Sequence, residues 1–128
     1  MYDTVMIVDD SMLELFIAET RMKQWQFAKQ ILVFNSGIPA LAYLQSLENN
    51  VDIFPEIIFV DIYMPIMNGF EFIDKFLGFS DEVKERCKIV IFSSSDAPED
   101  YARMKEYPII RKFLTKPLSE KMLNELVL

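Results

Sequence analysis

Two periods of apolar residues take turns along the chain. Strand-like runs over 4–8, 30–35, 56–60, 88–92 and 109–114 are separated by helix-like segments over 11–25, 37–47, 68–79, 96–106 and 119–128. Five strand–helix pairs in strict alternation imply an α/β fold whose parallel sheet is joined by right-handed crossovers. Four of the runs are nearly unbroken in apolar character, as expected of strands covered on both faces. The fifth is interrupted by Arg111-Lys112, which suits an edge strand. Helix starts support this register: Ser11 with Glu14 reads as a capping box, Asn68 with Glu71 resembles one, and Asp96 with Glu99 repeats the spacing. Leu13, Phe16, Ile17 and Thr20 are expected to form the core face of the first helix, and Phe72, Ile73, Phe76 and Leu77 that of the third.

Composition narrows the function classes. A chain of 128 residues, 52% hydrophobic with only three glycines, is expected to form one densely packed domain over 1–128 with no output domain. Its formal net charge of −7 argues against a nucleic-acid partner, because that affinity comes largely from lysine and arginine displacing counterions. No basic segment leads into a long apolar one, so neither a signal peptide nor a spanning helix is expected, and the location is read as cytoplasmic. Cys87 is the single cysteine and is read as structurally incidental. The charged stretch 80–86 reads as a solvated turn of helix.

The chemistry lies at the strand ends. Val5-Met6-Ile7-Val8 runs into Asp9-Asp10, Ile57-Ile58-Phe59-Val60 into Asp61, Ile89-Val90-Ile91-Phe92 into Ser93, and the last run through Thr115 into Lys116. In an open parallel sheet, ligands bind beyond the carboxyl ends of the strands where the order reverses; for order 2-1-3-4-5 that crevice lies between the first and third strands. The three acids would meet there, with a lysine and a hydroxyl facing them. Carboxylate oxygens are the ligands that magnesium, or manganese, prefers. Asp61, at the centre, is the candidate nucleophile and phosphoacceptor, and a carboxylate already ionised at neutral pH needs no general base. Catalysis would then be charge neutralisation and positioning, from the metal, Lys116 and Ser93.

With these residues in view, the sequence resembles the receiver domain of two-component response regulators across almost its whole length. The resemblance is carried by Ile7-Val8-Asp9-Asp10-Ser11, Gly37 with Ala40-Leu41, Asp61-Ile62-Tyr63-Met64-Pro65-Ile66-Met67-Asn68-Gly69, Ser93-Ser94-Ser95-Asp96 and Phe113-Leu114-Thr115-Lys116-Pro117. It implies a flavodoxin-like doubly wound fold, with Asp9, Asp10, Asp61 and the Tyr63 backbone carbonyl as metal ligands. It implies phosphorylation of Asp61, contact of Lys116 with the phosphoryl group, and Ser93 as the switch hydroxyl. Phe113 matches the aromatic switch position, a core aromatic on an edge strand being the other reading, and Tyr63 and Ser95 match positions that tune phosphoryl lifetime. The implied donor is a sensor histidine kinase or a histidine phosphotransfer protein, since the chain contains no histidine of its own. The implied output is a downstream protein or a second copy of the chain, bound through the face of the helix over 96–106, the last strand and the last helix. The chain departs from the family in a longer stretch before the fourth strand and a short final helix.

Other readings fit less well. A haloacid-dehalogenase-like phosphatase would carry a second aspartate where Tyr63 stands. A flavodoxin-like cofactor carrier would need a phosphate loop in place of Asp9-Asp10-Ser11. A receiver used only as an unphosphorylated scaffold would not need the acids, hydroxyl and lysine together.

Overall fold

The computed structural model describes residues 1–126. Five parallel strands, β1 (Tyr2–Val8), β2 (Ala28–Phe34), β3 (Ile57–Val60), β4 (Lys88–Ser93) and β5 (Ile110–Thr115), form one sheet in the order β2-β1-β3-β4-β5. The α/β class and the edge position of Arg111-Lys112 are as the sequence pattern predicts, and the 2-1-3-4-5 order is that of the doubly wound fold the resemblance implies. The helices are α1 (Met12–Gln24), α2 (Gly37–Ser46), α3 (Gly69–Phe76), α4 (Asp81–Arg86), α5 (Pro98–Met104) and α6 (Glu120–Asn124). The last two residues of the expected final helix lie outside the described residues. No helix among those described is long and apolar enough to cross a membrane.

Because side chains alternate across a strand, the sheet feeds two cores. Met6, Val8, Ile58, Val60, Ile89 and Ile91 pack with α2 and α3 in a layer rich in phenylalanine, where Phe54, Phe76 and Phe79 have ring centroids 5.4–6.4 Å apart. Val5, Ile7, Ile57, Phe59, Val90 and Phe92 pack with α1 and α6 in a layer of smaller side chains.

Three details correct the sequence pattern, and a fourth bears it out with one buried side chain added. In α1 the core face is Leu15, Ala18 and Met22, while Leu13 and Phe16 are 66% and 65% exposed. Almost every position from 12 to 18 is apolar, so two stripes compete; the helix buries the one containing the small Ala18, and Arg21 Nη1 fixes the rotation by donating to the Leu118 carbonyl at 2.7 Å. In α3, Phe72, Ile73 and Phe76 are buried as expected but Leu77 is exposed. Cys87 is fully buried in the phenylalanine-rich core beside Val83, so it is a packing residue, and burial pushes its thiol pKa up. The stretch before β4 is the short helix α4, capped by Ser80, whose Val83 plugs that core while its charged side chains stay outside or at its margin.

Candidate metal and phosphoryl site

Three backbone devices deliver the acids to one place. Hydrogen bonds Asp9 N to Phe34 O and Asp61 N to Val8 O, both 3.0 Å, extend the sheet pairing past the ends of β1 and β3. The Asp9 carboxylate then accepts from Ser11 N at 2.9 Å, so the Ser11 N–H goes to Asp9 and the reciprocal half of the expected capping box is not made; the Ser11 hydroxyl still caps α1 through Glu14 N at 3.2 Å. The Asp61 carboxylate accepts from Ile62 N at 2.8 Å, which orients it.

The loop after β3 is equally constrained. Met67 N bonds Pro65 O at 2.7 Å around Ile66, whose φ of 69° is a left-handed conformation rare for a β-branched residue. Asn68 and Glu71 form a complete capping box at the start of α3. Gly69 N donates to Ile62 O at 2.8 Å, and a Cβ at Gly69 would stand 2.3 Å from the Asp61 carbonyl oxygen. Only glycine lets α3 approach the backbone that carries Asp61, which explains the end of the Asp61–Gly69 motif.

One carboxylate oxygen from each of Asp9, Asp10 and Asp61 lies within 4.8 Å of the others. Asp9 and Asp61 are buried and Asp10 faces solvent. The Lys116 ammonium donates to Asp9 and lies 3.4 Å from Asp61 Oδ2, and its Nζ stands 5.5 Å from the centre of the Phe92 ring. Burial raises the Asp61 pKa and the Asp9 charge adds to this, while Lys116 opposes both. Burial alone would lower the Lys116 pKa, but the bond to Asp9 and the charges of Asp61 and Asp9 outweigh it and hold the ammonium charged. Three carboxylates against one ammonium leave the cluster two negative charges in excess, which suits a divalent cation held by oxygen donors.

Ser93 ends β4 fully buried on the same edge. Its hydroxyl accepts from Ser95 N at 3.2 Å, and the Lys116 N–H bonds the Ser93 carbonyl at 2.9 Å, which ties the last two strand ends together. The Lys116-Pro117 peptide is cis. Tyr63 is 59% exposed, and its hydroxyl donates to Asp100 Oδ2 at 2.7 Å. Ser95 Oγ donates to the same oxygen at 2.5 Å and accepts from Ala97 N at 3.2 Å. Asp96 therefore does not cap the next helix: Ala97 stands at the cap, and Pro98 sets the start of α5. Phe113 is half-buried and stacks on Tyr101 of α5, ring centroids 4.2 Å apart and planes at 25°, so it is neither a sealed core residue nor a free surface one.

Asp9, Asp10, Asp61, Ser93 and Lys116 thus share one edge of the sheet, with Tyr63 and Ser95 on loops beside it and Phe113 two strands from Asp61. The sequence pattern overlooks Asp100. In Pro98-Glu99-Asp100 it is one of two acids in a first helical turn, where acids are common, and only its burial and its two hydroxyl partners set it apart.

Known proteins share this fold. Residues 5–128 match the family model described as the response regulator receiver domain, and the chain belongs to that family. A two-component response regulator from Cytophaga hutchinsonii has a similar structure at 30% identity and a TM-score of 0.87, covering 96% of this chain and 92% of its own. A response regulator receiver protein from Dyadobacter fermentans is similar at 31% identity and a TM-score of 0.86, covering 95% and 92%. The Mn²⁺-bound form of response regulator Rcp1 shares the fold at 22% identity and a TM-score of 0.74, covering 94% and 86%. No curated protein sequence gives a significant match.

Proposed function

We propose that the protein is a phosphoacceptor switch, receiving a phosphoryl group on Asp61 from a histidine kinase or histidine phosphotransfer protein in the cytoplasm. This reading rests on the cluster of buried Asp9 and Asp61 with solvent-facing Asp10, across which Lys116 lies against Asp9 and Asp61. Asp9, Asp10, Asp61 and the Tyr63 carbonyl would hold magnesium or manganese, and the manganese bound in the Rcp1 structure supports that choice. When bound, the ion neutralises charge between the acids and the incoming phosphoryl group.

The Asp61 oxygen attacks phosphorus as the P–N bond of the phosphohistidine breaks; the imidazole nitrogen keeps the bonding pair and takes a proton from solvent. Lys116 moves its donor from Asp9 to the new phosphoryl oxygens, and the Ser93 hydroxyl turns to donate to them. Lys116 exchanges one anionic partner for another, so the net new bond is that of Ser93, worth about 1.5–3 kcal/mol against roughly 5.5 kcal/mol needed to move a population from 1:99 to 99:1. This contact supplies part of the bias a two-state switch needs. The response would pass to Phe113 and the surface of α5, β5 and α6, where a downstream protein or a second copy binds. Exposed Met12, Leu13 and Phe16 at the start of α1, directly after the acid pair, offer an apolar contact for the donor. The protein turns over only its own phosphoryl group.

Incubation with magnesium and acetyl phosphate tests this by intact mass. The wild type should gain one phosphoryl group, a chelator should suppress the gain, and Asp61→Asn should not show it. An equal gain in Asp61→Asn would refute Asp61 as the acceptor.

A further inference from the structure

Asp100 is the only buried acid among the described residues outside the metal cluster, and both groups that its Oδ2 accepts belong to the rim of the phosphoryl site. Tyr63 reaches it from the loop after β3, two residues beyond Asp61. Ser95 reaches it from the loop after β4, two residues beyond Ser93. One carboxylate oxygen therefore staples the two lips of the site at 2.7 and 2.5 Å. We propose that Asp100 is a positioning residue that holds Tyr63 and Ser95 in the resting arrangement and must let go of Ser95 when a phosphoryl group is captured; this rests on the phosphoacceptor reading above.

The coupling runs through Ser95. Its N–H donates to the oxygen of the Ser93 hydroxyl at 3.2 Å, the hydroxyl that would turn towards the phosphoryl group. Its own side chain is pinned on both sides, donating to Asp100 and accepting from Ala97 N at 3.2 Å, at the entry to α5. Segment 93–97 therefore cannot shift towards Asp61 without loosening its bond to Asp100. The next residue along α5, Tyr101, is stacked on Phe113. Release at Asp100 would reach the outer face through a single helical step. Hydrogen bonds to a carboxylate are stronger than neutral ones, so the staple weights the resting state measurably.

Titration with beryllofluoride in the presence of magnesium tests this, because that ion mimics a phosphoryl group on a carboxylate. Asp100→Ala is expected to bind it about tenfold more tightly than the wild type, one charge-assisted bond being removed from the resting state only. Asp100→Asn, which keeps an acceptor oxygen but loses the charge, should lie between them. Ser95→Ala should also bind more tightly, and its effect should vanish in an Asp100→Ala background. General damage to the fold weakens binding, so a gain separates the staple from a merely structural role. If Asp100→Ala does not fold, Ser95→Ala and Asp100→Asn carry the test. Unchanged or weaker binding in these variants would overturn the proposal, whereas a wild type that binds no beryllofluoride would instead overturn the phosphoacceptor reading.

Discussion

All four residues of β3 are buried, and α3 buries five of its eight, whereas α5 buries only Asp100 and β5 only Leu114. The same sheet thus has a closely packed middle and a thinly packed end. Asp61 is attached to the middle, where the Ile66 turn, the Asn68–Glu71 capping box and the approach of Gly69 leave its backbone little freedom. Ser95, Asp100, Tyr101 and Phe113 belong to the end or lead into it, held by a few polar bonds and one stacked ring pair. A reacting group needs a fixed position and a responding surface needs two positions close in energy, and this division of packing provides for both.

Cutting into the packed middle should have the largest effect on stability. Phe76→Ala removes a fully buried ring next to Phe54 and Phe79 and is expected to cost about 3–5 kcal/mol, read from denaturant midpoints. A loss below about 1 kcal/mol would mean that this core is not the rigid one. Next in size is the metal. Magnesium at a hundredfold excess over its dissociation constant should stabilise the wild type by about 2.7 kcal/mol, and Asp10→Asn should abolish that response in thermal melts. An Asp10→Asn protein with an undiminished response would remove Asp10 from the site.

The third effect is a pH dependence. Burial raises the folded-state pKa of Asp61, so its contribution favours the fold below the ordinary aspartate pKa of 3.8 and is lost as pH rises through the raised value. Without metal, Asp61→Asn should therefore be more stable than the wild type at pH 7. The advantage should shrink as pH falls towards 3.8. An advantage that grew on acidification would have the wrong sign. The smallest effect belongs to the thin end: Tyr101→Ala loses one exposed stacking partner and should cost about 0.5–1.5 kcal/mol. A cost equal to that of Phe76→Ala would erase the contrast between the two regions.

How far the sequence could be read follows the same division. The parallel sheet and its polar strand ends were legible in the unbroken apolar runs, and the gathering of Asp9, Asp10, Asp61, Ser93 and Lys116 followed once the strand order implied by the resemblance was added. The rotation of α1 was not, since apolar residues on two faces give periodicity nothing to choose between, and the decision fell to the small Ala18 and to Arg21 reaching Leu118. Cys87 looked incidental because charged neighbours surround it in sequence, yet its side chain points into the core at the entry to β4. Asp96 had the right spacing for a cap, but Pro98 starts the helix later and Ser95 takes over the bonding. Asp100 was hidden for a related reason: its partners lie 5 and 37 residues away, and the longer of these links exists only after the sheet has formed.

Chemical trapping tests, at the level of the residue, whether Asp61 carries the phosphoryl group. After reaction with magnesium and acetyl phosphate, borohydride reduces an aspartyl phosphate to homoserine, which peptide mass mapping locates. Homoserine at position 61, absent when magnesium is chelated, is the expected result. Homoserine at another acid, or none anywhere in protein that has gained phosphoryl mass, would contradict it.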